Sequence, residues 1–205
     1  MTQVLCYESD IANEASVIAL ASQVQTTFGS LDVAVINAGT SLRFVIDETG
    51  KKRFTVGILE QSTEDYMRLW NISFTGTYVA TRAFLPLLQQ TKDGAQALVC
   101  VSSSASHITS TSLSPFVYNF SKFAVNRLVE TVHEAHHKDG VVVYALHPGA
   151  IPTPMNTDYP QEWDASECCL HKMDWDAANK CDIVLRDDVS LPGGFCVWLT
   201  KTKRG

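Results

Sequence analysis

The sequence predicts an α/β fold, a doubly wound parallel sheet with helices on both faces. Three observations carry this. Short apolar runs at residues 4–7, 31–36, 97–101 and 141–146 lack polar alternation, as expected of strands covered on both faces. Longer helical patterns separate these runs, the rhythm of strand–helix–strand units. Asn37-Ala38-Gly39, Ser102-Ser103-Ser104 and Pro148-Gly149 each follow one of the runs. They therefore share the carboxyl edge of the sheet, where open parallel sheets bind ligands.

Each element has its own justification. Residues 4–7, VLCY, read as the first strand. Asp10 is placed to cap a helix over 12–28, with Val17, Leu20, Ala21 and Val24 on one face and Gly29 as its stop. Residues 31–36, LDVAVI, form the second strand. The polar stretch 40–60 reads as a loop with a hairpin around Thr49-Gly50. Ser62, three positions before Asp65, opens a long helix ending near Gln90, which Pro86 kinks or shortens. After the third strand, the serine-rich loop 102–114 leads to a helix over 116–138 with Ala124, Val125, Leu128, Val129 and Val132 as its apolar face. The fourth strand is 141–146, and the last helix is 191–199.

At 205 residues and 45% hydrophobic, the chain suits one domain, 1–205, with a core of its own. A net charge of -6 argues against nucleic-acid or anionic-membrane partners. No apolar run is long enough to span a membrane, and MTQVLCYESD lacks the basic-then-apolar pattern of a secretory signal. Six cysteines without a C-x-x-C pair fit reduced thiols in a cytoplasmic protein. His133, His136 and His137 read as solvated helix surface, since no acidic third metal ligand accompanies them.

The stretch YNFSK, residues 118–122, raises the question of chemistry. Tyr118 and Lys122 are spaced to share a helix face. A tyrosine is a poor acid or base near neutrality unless perturbed, and a neighbouring ammonium lowers its pKa. With a serine hydroxyl from a strand end, the pair is suited to move a proton at a carbonyl or alcohol oxygen while hydride moves at carbon.

Taken together, these landmarks resemble the short-chain dehydrogenase/reductase family: Asp10-Ile11, Asn37-Ala38-Gly39, Ser102-Ser103, Tyr118 with Lys122, and Pro148-Gly149 with Thr153. The resemblance spans nearly the whole chain. It implies a three-layer Rossmann-like fold and an NAD(P)-dependent oxidoreductase acting on a small-molecule alcohol or ketone, with NAD or NADP as cofactor. By that resemblance Asp10 and Ile11 meet the adenine, and Asn37, Ala38 and Gly39 line the cofactor. Tyr118 is the acid/base, and Lys122 binds the nicotinamide ribose and lowers the tyrosine pKa. Pro148, Gly149 and Ile151 flank the nicotinamide, and Thr153 bonds its carboxamide. Segment 150–188 covers the substrate, with Met155, Tyr159 and Trp163 as pocket wall or loop packing. His107, close after the active serine, is placed to touch substrate. Helices 63–90 and 116–138 form a homodimer or homotetramer interface by the same resemblance, with Ala80, Phe84, Leu88, Phe120, Ala124 and Leu128 either as contacts or, for some of them, as cover for the sheet.

The chain departs from the family pattern in three places. The usual serine position falls on Ala105, so a loop insertion shifts the role to Ser103, with Ser104 as the alternative; Ser102 and Ser106 then cap or solvate the loop. Ser73 occupies the position of the family's helix asparagine, where a weaker proton relay is expected. No T-G-x-x-x-G-x-G occurs among the 205 residues. By comparison with the family sheet order 3-2-1-4-5-6-7, the fold is expected to be incomplete, without its first two strands, its pyrophosphate turn and its last strand. Weak dinucleotide binding follows from that expectation. So do two competing readings, an inactive remnant and a non-catalytic oligomer partner.

Overall fold

A computed structural model describes residues 4–41, 45–46, 49, 52–53, 58–109, 114–149, 151 and 187–201. Three parallel strands form the sheet: β1 (Val33–Ile36), β4 (Ala97–Val101) and β5 (Val142–Leu146), in the order β1-β4-β5. A separate antiparallel pair, β2 (Val45–Ile46) and β3 (Lys52–Arg53), supplies the expected hairpin. The helices are α1 (Glu14–Phe28), α2 (Thr63–Trp70), α3 (Gly76–Gln90), α4 (Phe116–His136) and α5 (Ser190–Lys201). This is a Rossmann-like α/β arrangement in which the described sheet has three strands.

Register explains the core. Ala34 pairs with Leu98, and Leu98 with Val143. These three stack in one cluster with Val17 of α1, Val79, Ala80 and Leu88 of α3, and Val125 and Val129 of α4. Alternation sends Val35 and its partner Val99 to the opposite face. There Val99 is fully buried, while Val35 is 48% exposed. The central strand is thus covered on both faces, and β1 is open on its outer side. An apolar groove of 250 Å³ runs beside it, lined by Leu20, Val24, Leu31, Val35 and Phe84 among others.

Several expectations are corrected. Residues 4–7 form no strand; they pair with no strand among the described residues, and Val4 and Tyr7 are exposed. Asp10 does not cap α1. Its carboxylate accepts from the Ala12 N–H at 2.9 Å, and Asn13 is the cap, accepting from the Ser16 N–H at 3.1 Å. The long helix from Ser62 is interrupted by a π-helical turn, Asn71–Thr75, while Pro86 sits inside α3 without ending it. Ala80 and Leu88 are core residues facing the sheet, so neither can serve as an exposed subunit contact. Phe84 also packs against this cluster. The exposed aromatic side chains on α3 and α4 are Tyr78, Phe120 and Phe123.

Two glycines mark close approaches. A Cβ on Gly76 would sit 2.8 Å from the Ile11 side chain and 2.9 Å from its carbonyl oxygen. Only a missing side chain lets α3 press on the loop that presents Ile11. Gly76→Ala is therefore expected to destabilise the fold by about 1–3 kcal/mol, read as a lower urea midpoint; an unchanged midpoint would show that the loop yields freely. Gly149 has φ +91, which favours glycine, and a Cβ there would meet the Asp187 carboxylate at 2.6 Å. The chain thus leaves the sheet at Gly149 and comes back beside the same residue at Asp187.

Candidate active site

The parallel register sets three strand ends side by side. Ile36 pairs with Cys100, and Cys100 with Ala145. The residues that follow, Asn37-Ala38-Gly39, Ser102-Ser103 and His147-Pro148-Gly149, therefore crowd one edge. Helix α4 begins beyond this edge after Pro115 and runs back along the sheet. It carries Tyr118 and Lys122 one turn apart.

Lys122 is buried, at 4% exposure. Its Nζ donates to the Val101 carbonyl at 2.8 Å and lies 5.7 Å from the centre of the Tyr118 ring. Burial pushes the ammonium down to about 8, and the nearby Cys100 partly opposes this. The Cys100 thiol is itself pushed up to about 11 by burial, with the Thr81 side chain and the Lys122 charge drawing it the other way. Burial likewise raises the Tyr118 phenol, and a hydrogen bond with the Ser103 side chain moderates the rise. In this structure desolvation is the larger influence on Tyr118, and the Lys122 ammonium is turned onto the Val101 carbonyl.

Of the two candidate serines, Ser103 is the one that draws the Tyr118 phenol back toward its ordinary value, and its Oγ accepts from the Ala105 N–H at 3.2 Å. Ser104 is exposed and Ala105 is buried in the turn Ser104–His107. His107 is exposed at the end of that turn.

Ser73 is fully buried on the π-helical turn. Its hydroxyl donates to the Thr40 carbonyl at 3.1 Å and accepts from the Thr40 N–H at 3.3 Å. With its proton committed to Thr40, Ser73 clamps the loop after β1. A Cβ on Gly39 would lie 3.6 Å from Lys122 Nζ and 3.9 Å from Ser73 Oγ, so the three residues meet at one point.

Asn37 and Ala38 are exposed on the open edge, with Gly39, Pro148, Gly149 and Ile151 partly covered. Asp10 and Ile11 lie where α3 meets the loop before α1. Thr153 and most of segment 150–188, including Met155, Tyr159 and Trp163, lie outside the described residues. Among the described residues no group of His, Cys, Asp and Glu is arranged to hold a metal, and no helix is long and apolar enough to cross a membrane. The residue that sequence reasoning missed is Asn126. It lies one turn beyond Lys122 on the same face of α4, and that spacing was the available signal.

The short chain dehydrogenase family model matches residues 1–164; the chain belongs to that family. Short chain dehydrogenase mpl6 of Monascus purpureus is 32% identical over 178 residues, covering 84% of this chain and 56% of that protein. The chain spans about half the length of the curated relatives it matches. A ribose-5-phosphate isomerase structure from Brucella melitensis 16M is similar with a TM-score of 0.61 at 25% identity, over 73% of this chain and 52% of that one. A short-chain dehydrogenase structure from Streptomyces avermitilis gives a TM-score of 0.58 at 24% identity, over 71% of this chain and 49% of that one, a likeness of fold alone.

Proposed function

We propose that the chain carries the acid/base half of an NAD(P)-dependent oxidoreductase that interconverts an alcohol and a ketone. The observation that carries this reading is the convergence of Ser103, Tyr118, Lys122 and Gly39 at the carboxyl edge of the sheet. The family's nicotinamide cofactor supplies hydride when bound. The residues present fit its nicotinamide–ribose end: Lys122 has N–H donors beyond the one given to Val101, and Gly39 leaves the space in front of it open. In this reading Tyr118 gives its phenolic proton to the ketone oxygen, and takes it back in the alcohol direction. Ser103 holds that oxygen against Tyr118. Lys122 holds the ribose hydroxyls. Asn37, Ala38, Pro148, Gly149 and Ile151 form the walls, with Thr153 assigned to the carboxamide by resemblance, and Asp10 and Ile11 to the adenine. Ser73 positions the loop after β1 through its two hydrogen bonds with Thr40, at the place where the resemblance assigns a weaker proton relay.

The pyrophosphate end fits less well, because no glycine-rich turn at a helix N-terminus, the usual anion site, occurs in the sequence. Calorimetric titration of the 205-residue chain with NADPH and NADH is therefore expected to show binding weaker than about micromolar. A sub-micromolar constant would overturn this expectation. A complete lack of saturable binding by folded material would favour a second reading, that the chain is a non-catalytic partner. That reading draws on Phe120 and Phe123, each 54% exposed on α4, a face suited to pairing with a copy or a relative.

A further inference from the structure

The serines around Ser103 are not loose loop residues. Ser102 Oγ donates to Asn126 Oδ1 at 2.6 Å and also approaches the Lys122 carbonyl at 3.2 Å. Asn126 Nδ2 donates to Ser106 Oγ at 2.9 Å, and Ser106 Oγ donates to the Ser103 carbonyl at 2.7 Å. Ser102 and Ser106 are both buried. The carboxamide thus uses its acceptor on one side and its donor on the other. A closed ring results: Ser102, the backbone to Ser103, Ser106, Asn126 and back to Ser102. The Ser103 hydroxyl stands outside this ring, accepting from the Ala105 N–H at 3.2 Å. Each link has a donor matched to an acceptor, and a half-satisfied version of such a network is costly.

We propose that Asn126 is a positioning residue for the reaction: by bridging Ser102 and Ser106 it ties the end of β4 to α4 and fixes the Ser103 hydroxyl against Tyr118. The proposal rests on the reading that Ser103 and Tyr118 work together at the substrate oxygen. It also explains why the two flanking serines are buried in a loop that would otherwise be solvated. Neither Asn126 nor Ser106 touches the reacting oxygen; both act through Ser103.

The test needs no turnover. Ring-labelled tyrosine in the 205-residue chain gives a Tyr118 Cζ resonance, assigned by its loss in Tyr118→Phe, that reports hydrogen bonding at the phenol. Asn126→Ala is expected to shift this resonance in the same direction as Ser103→Ala. Ser106→Ala cuts the ring without altering α4 and is expected to do the same, which keeps the proposal testable if Asn126→Ala does not fold. In a Ser103→Ala background neither change should add a further shift. An unmoved resonance in Asn126→Ala and Ser106→Ala overturns the proposal, as does an equal shift with and without Ser103. If Ser103→Ala itself leaves Tyr118 unmoved, the Ser103–Tyr118 pairing fails first and takes this proposal with it.

Discussion

On the proposed function, Tyr118→Phe is expected to lower kcat for carbonyl reduction by about 10²- to 10⁴-fold, the range that a positioned general acid contributes. The expected result has a particular shape. KM should change little, because the phenolic proton matters only as charge develops on the substrate oxygen; kcat and kcat/KM should fall together. The buried phenol, raised above its ordinary value, keeps its proton at neutral pH. It is therefore better poised to give a proton than to receive one, and reduction should be the better-served direction near neutrality. Steady-state kinetics on any form of the protein that turns over would check this. A Phe variant retaining a tenth or more of wild-type kcat would remove Tyr118 from the chemistry.

Lys122→Met is expected to stabilise the folded chain near neutral pH. The ammonium has an ordinary value of 10.5 and is pushed down to about 8 by burial. Between those values the unfolded chain holds a proton that the folded chain lacks, so stability rises with pH across the window. The contribution is complete above the unfolded value and is lost as pH falls through about 8. Below that, the folded state carries a poorly solvated charge, at a cost of up to about 3 kcal/mol, offset in part by the bond to Val101. Cys100 acts in the opposite sense, from its ordinary 9.0 up to about 11, so the lysine effect is cleanest between about pH 8 and 9. Urea unfolding of wild type and Lys122→Met at pH 7, 8 and 9 would show the variant's advantage shrinking as pH rises. A constant difference would mean that the ammonium is better solvated than its 4% exposure implies. On the proposed function, the role of Lys122 and the stability of the fold pull in different directions, as is common where an active site holds a charge.

Much of the sheet was legible because covered parallel strands write themselves as unbroken apolar runs. ALVCV became β4, and LDVAVI and VVVYAL became its neighbours with ends moved by one or two residues. VLCY has the same composition but no partner among the described strands, and composition cannot report pairing. Asp10 was a sound cap by residue type; Asn13 took the role because its carboxamide is the group that reaches the Ser16 N–H. The π-helical turn left no mark on the periodicity, although it aims Ser73 at Thr40. Ala80 and Leu88 were assigned to a subunit contact because an apolar helix position reads the same whether it meets a sheet or another chain. At the site, the residue types around the strand ends were readable, but the balance between burial and charge at Tyr118 was not. That balance depends on where the Lys122 side chain points, which spacing does not fix. Asn126 was passed over for a related reason: its spacing from Lys122 was visible, but spacing does not show the serines it bridges.

The meeting of Gly149 and Asp187 has a consequence for how such a chain can change over generations. Two points held side by side make the length of what lies between them almost irrelevant to the core, since doubling a closed loop adds only about 0.6 kcal/mol of entropy. The closeness of Gly149 and Asp187 therefore makes a change in the number of residues between them cheap in closure entropy.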